Sequence, residues 1–177
     1  MPPNLSSLPL SPRANRGLAR LLPVTTIALA SVIGLLPLPI PGYAALTPAF
    51  ALMAVYHWSV YRPDLLPPTF LFAIGFAQDL VIGATVPASA LTLLLARAAV
   101  LRYRRHFVGR PFLFAWGGFA VLAAAVMLGL WALHCVLQLG LLDPRTAIVR
   151  CALTIALFPA ASLALGRSQR ALIGASA

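Results

Sequence analysis

FLFAWGGFAVLAAAVMLGLWALHCVLQL, residues 112–139, contains no charged side chain. A run of this length and character crosses a lipid bilayer with residues to spare for tilt or for projecting beyond the hydrocarbon. The same character recurs through the chain, which is 177 residues long, 61% apolar and only 9% charged, with a mean hydropathy of +0.94. A soluble domain is about one-quarter charged, so there is too little polar surface here to coat a water-soluble globule. A disordered chain and a nucleic-acid-binding domain are disfavoured for the same reason.

Working outward from residue 112, five more apolar runs are separated by Pro, Gly and Arg. The spans expected are about 21–41, 45–61, 65–83, 87–101, 112–139 and 145–166. Thr47-Pro48 and Asp143-Pro144 each offer a capping side chain followed by Pro at the first helical position. Six spans of about 20 residues fill roughly 120 positions, leaving tails and short loops. The chain therefore reads as an all-α integral membrane protein. It has a flexible cytoplasmic tail over 1–17, a six-helix transmembrane domain over 18–166 and a cytoplasmic tail over 167–177. Gly42-Tyr43-Ala44 resembles a signal-peptide cleavage site, but the preceding run is longer than a signal core and more spans follow it, so it is expected to be retained.

Orientation follows from charge. All 13 basic residues are Arg, Lys and Glu are absent, and the net charge is +10. With both ends inside, Arg13, Arg16, Arg20, Arg62, Arg102, Arg104, Arg105, Arg110, Arg167 and Arg170 are cytoplasmic and Arg145 alone is outside. That asymmetry fits the positive-inside rule. Tyr56, Trp58, Tyr61 and Tyr103 flank the basic loops, at headgroup depth. Arg97 reads as a snorkelling side chain, and His57 and His106 as interfacial residues. Cys135 and Cys151 lie in apolar segments without metal or redox spacing and read as packing residues.

Asp79 needs an explanation. An Asp at mid-span costs roughly 2.5–3.5 kcal/mol on insertion scales, against ~0.3–0.6 returned by each Leu, Ile, Phe or Val. The third span carries ten such residues and can still insert. Gly75, Asp79 and Gly83 lie along one helical stripe, where small residues admit a second backbone. The depths of the spans suggest a buried polar cluster of Asp79 with Arg150 and His134, near Gln78 and Gln138. Such a cluster serves as interhelical glue, or as a proton or ligand site. No P-loop lysine, second intramembrane carboxylate, HExxH, GxSxG or Cys/His metal spacing occurs, so no enzymatic activity, cofactor or metal is expected.

Two stretches carry a family resemblance: Tyr56-His57-Trp58-Ser-Val-Tyr61-Arg62-Pro63-Asp64-Leu-Leu-Pro67, and Gly75-x3-Asp79-x3-Gly83. With the length, basic start and six spans, they resemble the rod-shape-determining MreD family. His57 interrupts that family's Tyr-Trp, and Val86-Pro87-Ala88 stands where it often has Pro-Leu-Gly. The resemblance implies a bacterial inner-membrane protein of the cell-elongation and peptidoglycan-synthesis machinery. It also implies MreC, MreB, RodA and the elongation-specific penicillin-binding transpeptidase as partners. Gly75, Asp79, Gly83, Tyr56, Trp58, Arg62 and Pro63 are the expected helix-interface and partner residues. The implied architecture is similar to the six-helix substrate-binding subunits of energy-coupling-factor transporters. A subunit binding a small, vitamin-like solute is therefore the rival to a non-catalytic scaffold.

Overall fold

A computed structural model describes residues 12–35, 49–84, 86–104, 111–138, 140 and 143–174, with side chains described from residue 23 to residue 167 within those ranges. The Thr47-Pro48 start, Gly42-Tyr43-Ala44, Arg105, His106, Arg110 and the ends of both tails lie outside the described residues, as do the side chains of Arg13, Arg16, Arg20 and Arg170. The described residues form six α-helices and one short 3-10 turn, with no strand: α1 (Pro12–Leu35), α2 (Phe50–Tyr61), the 3-10 turn Pro63–Leu65, α3 (Pro68–Ile82), α4 (Ala88–Tyr103), α5 (Phe112–Leu137) and α6 (Arg145–Gly174).

Proline and glycine set these boundaries. Arg62-Pro63 ends α2, because a residue before Pro is pushed out of the helical region. Pro68 sits at the start of α3, where its missing N–H costs nothing. Gly83, at φ 70° and ψ 32°, closes α3 in the left-handed conformation that glycine adopts without strain. At the start of α6, Asp143 accepts the Arg145 N–H at 3.0 Å.

This punctuation also makes several helices short. Among the described residues, only Phe112–Leu137 and Arg145–Arg167 are long and apolar enough to cross a membrane. The apolar stretches Pro23–Leu35 and Pro68–Ile82 are shorter, and α2, at 12 residues, is about 18 Å long. Among the described residues six helices form, of which two have spanning length; α1 begins at Pro12, inside the stretch expected to be a flexible tail, and α6 continues to Gly174, into the stretch expected to be the C-terminal tail.

Successive helices run antiparallel. Trp58 near the end of α2 meets Thr26 of α1, and Tyr56 meets Ala115 at the start of α5. Arg104 Nε donates to the Val60 carbonyl at 2.9 Å, which brings the C-terminal ends of α2 and α4 together. Arg62, Arg102 and Arg104 therefore gather at one end of the bundle. Arg145 opens α6 at the other.

The central helix is α2, buried on every side from Leu52 to Val60, as expected of a helix that is apolar all round. Two cores meet on it. One joins Ile27, Ala54, Val55, Trp58, Leu66, Leu71 and Leu93, from α1, α2, α3, α4 and the linker before α3. The other joins Met53, Tyr56, Val60, Ala96, Phe119 and Phe158, from α2, α4, α5 and α6. Within the second, the Phe119 and Phe158 rings stack at 4.1 Å and Tyr56 meets both edge-on. Outward, α3, α5 and α6 present Phe72, Phe76, Val81, Val121, Leu128, Val136, Ile148 and Leu163, all exposed.

Candidate functional site

Gly75 and Asp79 of the stripe face the start of α4, while Gly83 stands in open space at the end of α3. A Cβ on Gly75 would lie 2.4 Å from Ala90 Cα and 2.6 Å from Ala90 N, so only glycine lets the first turn of α4 seat on α3. One helical turn further on, the Asp79 carboxylate accepts the Ser89 N–H at 3.1 and 3.0 Å and the Ala90 N–H at 3.2 Å. These are among the N–H groups a helix start leaves without intrahelical acceptors. Pro87, in the capping position, has no side chain able to take them. A carboxylate from the neighbouring helix supplies the cap, and the α4 macrodipole favours its charge there.

The expected cluster of Asp79, Arg150 and His134 does not form among the described residues. Asp79 is 5% exposed, and its partners are backbone amides of α4. His134 is exposed, its Nδ1 2.7 Å from the Leu130 carbonyl of its own helix. The short link between α3 and α4 gives the α4 amides first access to the acid. Gln138 ends α5, exposed.

Tyr56 and Trp58, expected at headgroup depth, are buried inside the bundle. Two residues along a helix turn the direction of a side chain by about 200°, so Tyr56 and Trp58 reach opposite sides of α2. The Tyr56 hydroxyl donates to the Ala115 carbonyl of α5 at 2.8 Å. Trp58 Nε1 donates to Thr26 Oγ1 of α1 at 2.9 Å, and Thr26 Oγ1 donates in turn to the Pro23 carbonyl at 3.1 Å. Pro63 is buried as well, whereas Arg62, Tyr61, Tyr103 and Gly83 are exposed. His57, expected at an interface, is 4% exposed, with its ring 4.7 Å from that of Tyr61. Arg97 is half-buried and its Nε is enclosed. Cys135 and Cys151 are half-buried free thiols.

Two features had gone unread. Pro159 cannot donate to the Ile155 carbonyl four residues back, and Trp116 Nε1 of α5 takes that place at 3.0 Å. The second is a cavity of about 120 Å³ at the end of the bundle where α6 begins, lined by residues of all six helices, including Ser31, Gln78, Ser89, Thr92 and Arg150. The proline in a helical run was the available signal for the first. The second had none, since its lining is spread over six segments.

Family models, curated proteins and solved structures were all searched, and none matches this chain.

Proposed function

We propose that the chain is a six-span protein of a bacterial inner membrane, both ends cytoplasmic, that acts without catalysis by binding other membrane proteins along its helix flanks. One observation carries this reading. The described surface of α3, α5 and α6 is apolar over most of its area, and α5 and α6, the two helices of spanning length, are largely unburied. A monomeric soluble protein rarely exposes a continuous apolar surface beyond a few hundred Å², so lipid and partner helices are the natural cover. The up-and-down order of the helices, with Arg62, Arg102 and Arg104 at one end, is the arrangement that alternate crossings require. The short α2 is enclosed by neighbouring helices, so it need not match the bilayer thickness by itself.

The resemblance to MreD proteins supplies the particular role: a scaffold of the cell-elongation complex that links MreB filaments to periplasmic wall synthesis through MreC, RodA and the elongation-specific transpeptidase. That role rests on the two quoted stretches and the hydropathy pattern. The rival, a vitamin-like solute carrier, has the six-helix cavity in its favour and the volume against it. Sites for molecules of that size run to about 300–1,000 Å³, and this one is about 120 Å³.

The test is affinity purification of the tagged full chain from mildly solubilised membranes, with reporter fusions at both ends. Co-purification with MreC and wall-synthesis proteins, rounding of depleted cells and cytoplasmic reporters at both ends are expected. A co-purifying ATPase with normal cell shape, or reporters in opposite compartments, overturns the reading.

A further inference from the structure

We propose that the cavity at the α6 end of the bundle binds a small oxyanion, a carboxylate or phosphate group, through the guanidinium of Arg150. The proposal does not depend on the partner reading above. Arg150 lies five residues into α6, with its Nε enclosed and without an acceptor among the described residues. Ser31 of α1, 6% exposed, lines the same cavity, and its Oγ has no partner either. Gln78, Ser89 and Thr92 complete a polar wall. Among the described residues no acid lines the cavity. Asp79, next in sequence to Gln78, directs both carboxylate oxygens to the first turn of α4.

An enclosed guanidinium N–H without an acceptor is unfavourable, and the planar fork of donors on the half-buried Arg150 matches the paired oxygens of carboxylate and phosphate. An anion in the cavity would give Arg150 its missing acceptor and offer an oxygen to Ser31. A dry protein cavity of about 150 Å³ holds one benzene, so about 120 Å³ admits an anionic headgroup of about five heavy atoms. Arg150 sits about 8 Å along the helix axis from the start of α6. The group can therefore arrive as a free anion from solution or as the phosphate of a lipid.

The test uses the delipidated full chain in a neutral maltoside detergent, with unfolding followed by tryptophan fluorescence. Sodium phosphate and sodium acetate are titrated against sodium chloride at equal ionic strength, and short-chain phosphatidylglycerol against short-chain phosphatidylcholine. At ten times the dissociation constant the melting temperature should rise by about 3–6 °C. A rise with phosphate or acetate identifies a free anion. A rise with phosphatidylglycerol alone identifies a lipid phosphate. Arg150→Met should abolish either rise without lowering the melting point of the unliganded protein, Arg150→Lys should weaken it, and Arg145→Met should leave it unchanged. The proposal is overturned if no anion stabilises the wild-type chain, if Arg150→Met retains the rise, or if Arg150→Met fails to fold, since that last result would mean Arg150 is held by the protein itself.

Discussion

Replacing Trp116 by Phe removes the indole N–H that reaches the Ile155 carbonyl at 3.0 Å and retains most of the ring packing. The carbonyl needs this donor only because Pro159, four residues on, has no N–H to give it. Leaving a buried acceptor unpaired costs about 1–3 kcal/mol in water-soluble proteins, while interhelical hydrogen bonds in membranes average about 0.6 and reach about 1.7 kcal/mol. The bond is partly buried, so Trp116→Phe should destabilise the bundle by about 1 kcal/mol. Pro159→Ala restores an intrahelical donor and makes the indole redundant. In that background Trp116→Phe should cost only its small packing loss, leaving a coupling energy of about 0.5–1.5 kcal/mol between two residues. The assay is a double-mutant cycle of unfolding free energies for the four proteins in mixed micelles. If Trp116→Phe costs the same with Pro or Ala at position 159, the indole is not replacing the missing helix bond and the reasoning fails.

Three further outcomes are expected from the same kind of measurement. Gly75→Ala drives a Cβ into the Ala90 backbone and should cost about 1–3 kcal/mol or more, whereas Gly83→Ala, with open space around it but φ at 70°, should cost about 1–2 kcal/mol; equal and negligible effects would refute the seating of α4 on α3. Asp79→Ala should lose about 1–3 kcal/mol and Asp79→Asn less, since an amide oxygen still accepts from Ser89 or Ala90. Exchanging Asp79 with Arg150 should give no rescue of the single variants, and rescue would restore direct pairing. Tyr56→Phe should cost about 1 kcal/mol through the lost bond to Ala115, and an unchanged melting temperature would count against it.

The helical class and the start of α6 were legible because each depends on local chemistry: apolar runs, Pro and Gly punctuation, and the Asp143-Pro144 pair. Asp79 showed what sequence reading misses. Its burial followed from the apolar run around it, but its partner was chosen by the chain turn at Gly83 and by Pro87, which leaves the start of α4 without its own cap. Backbone N–H groups carry no signature in a sequence, whereas charged side chains such as Arg150 and His134 do. The aromatic residues failed for a related reason. Tyr and Trp beside a basic loop suit a headgroup belt and a helix core equally well, and burial of α2 on all sides decided for the core.

Tyr56, Trp58, Pro63, Gly75 and Asp79 are buried, and all but Pro63 have their contacts fixed on other helices of this chain. A side chain bonded inside the bundle is not free to meet a second protein without breaking that bond. These stretches therefore serve to hold the helices of this chain together. Any partner protein would be met by residues outside the motifs. Between α4 and α5, Ala99, Gly118, Val121 and Ala125 line an apolar groove of about 430 Å³, with exposed Tyr103 at its edge. Small residues there permit close approach of a further helix. Val121→Trp should crowd that groove and reduce co-purification of a membrane partner while leaving the melting temperature of the isolated chain within about 1–2 °C, because Val121 is 72% exposed. Partner recovery unchanged by Val121→Trp, but abolished by exposed α3 substitutions such as Phe76→Ala, would move the contact to α3.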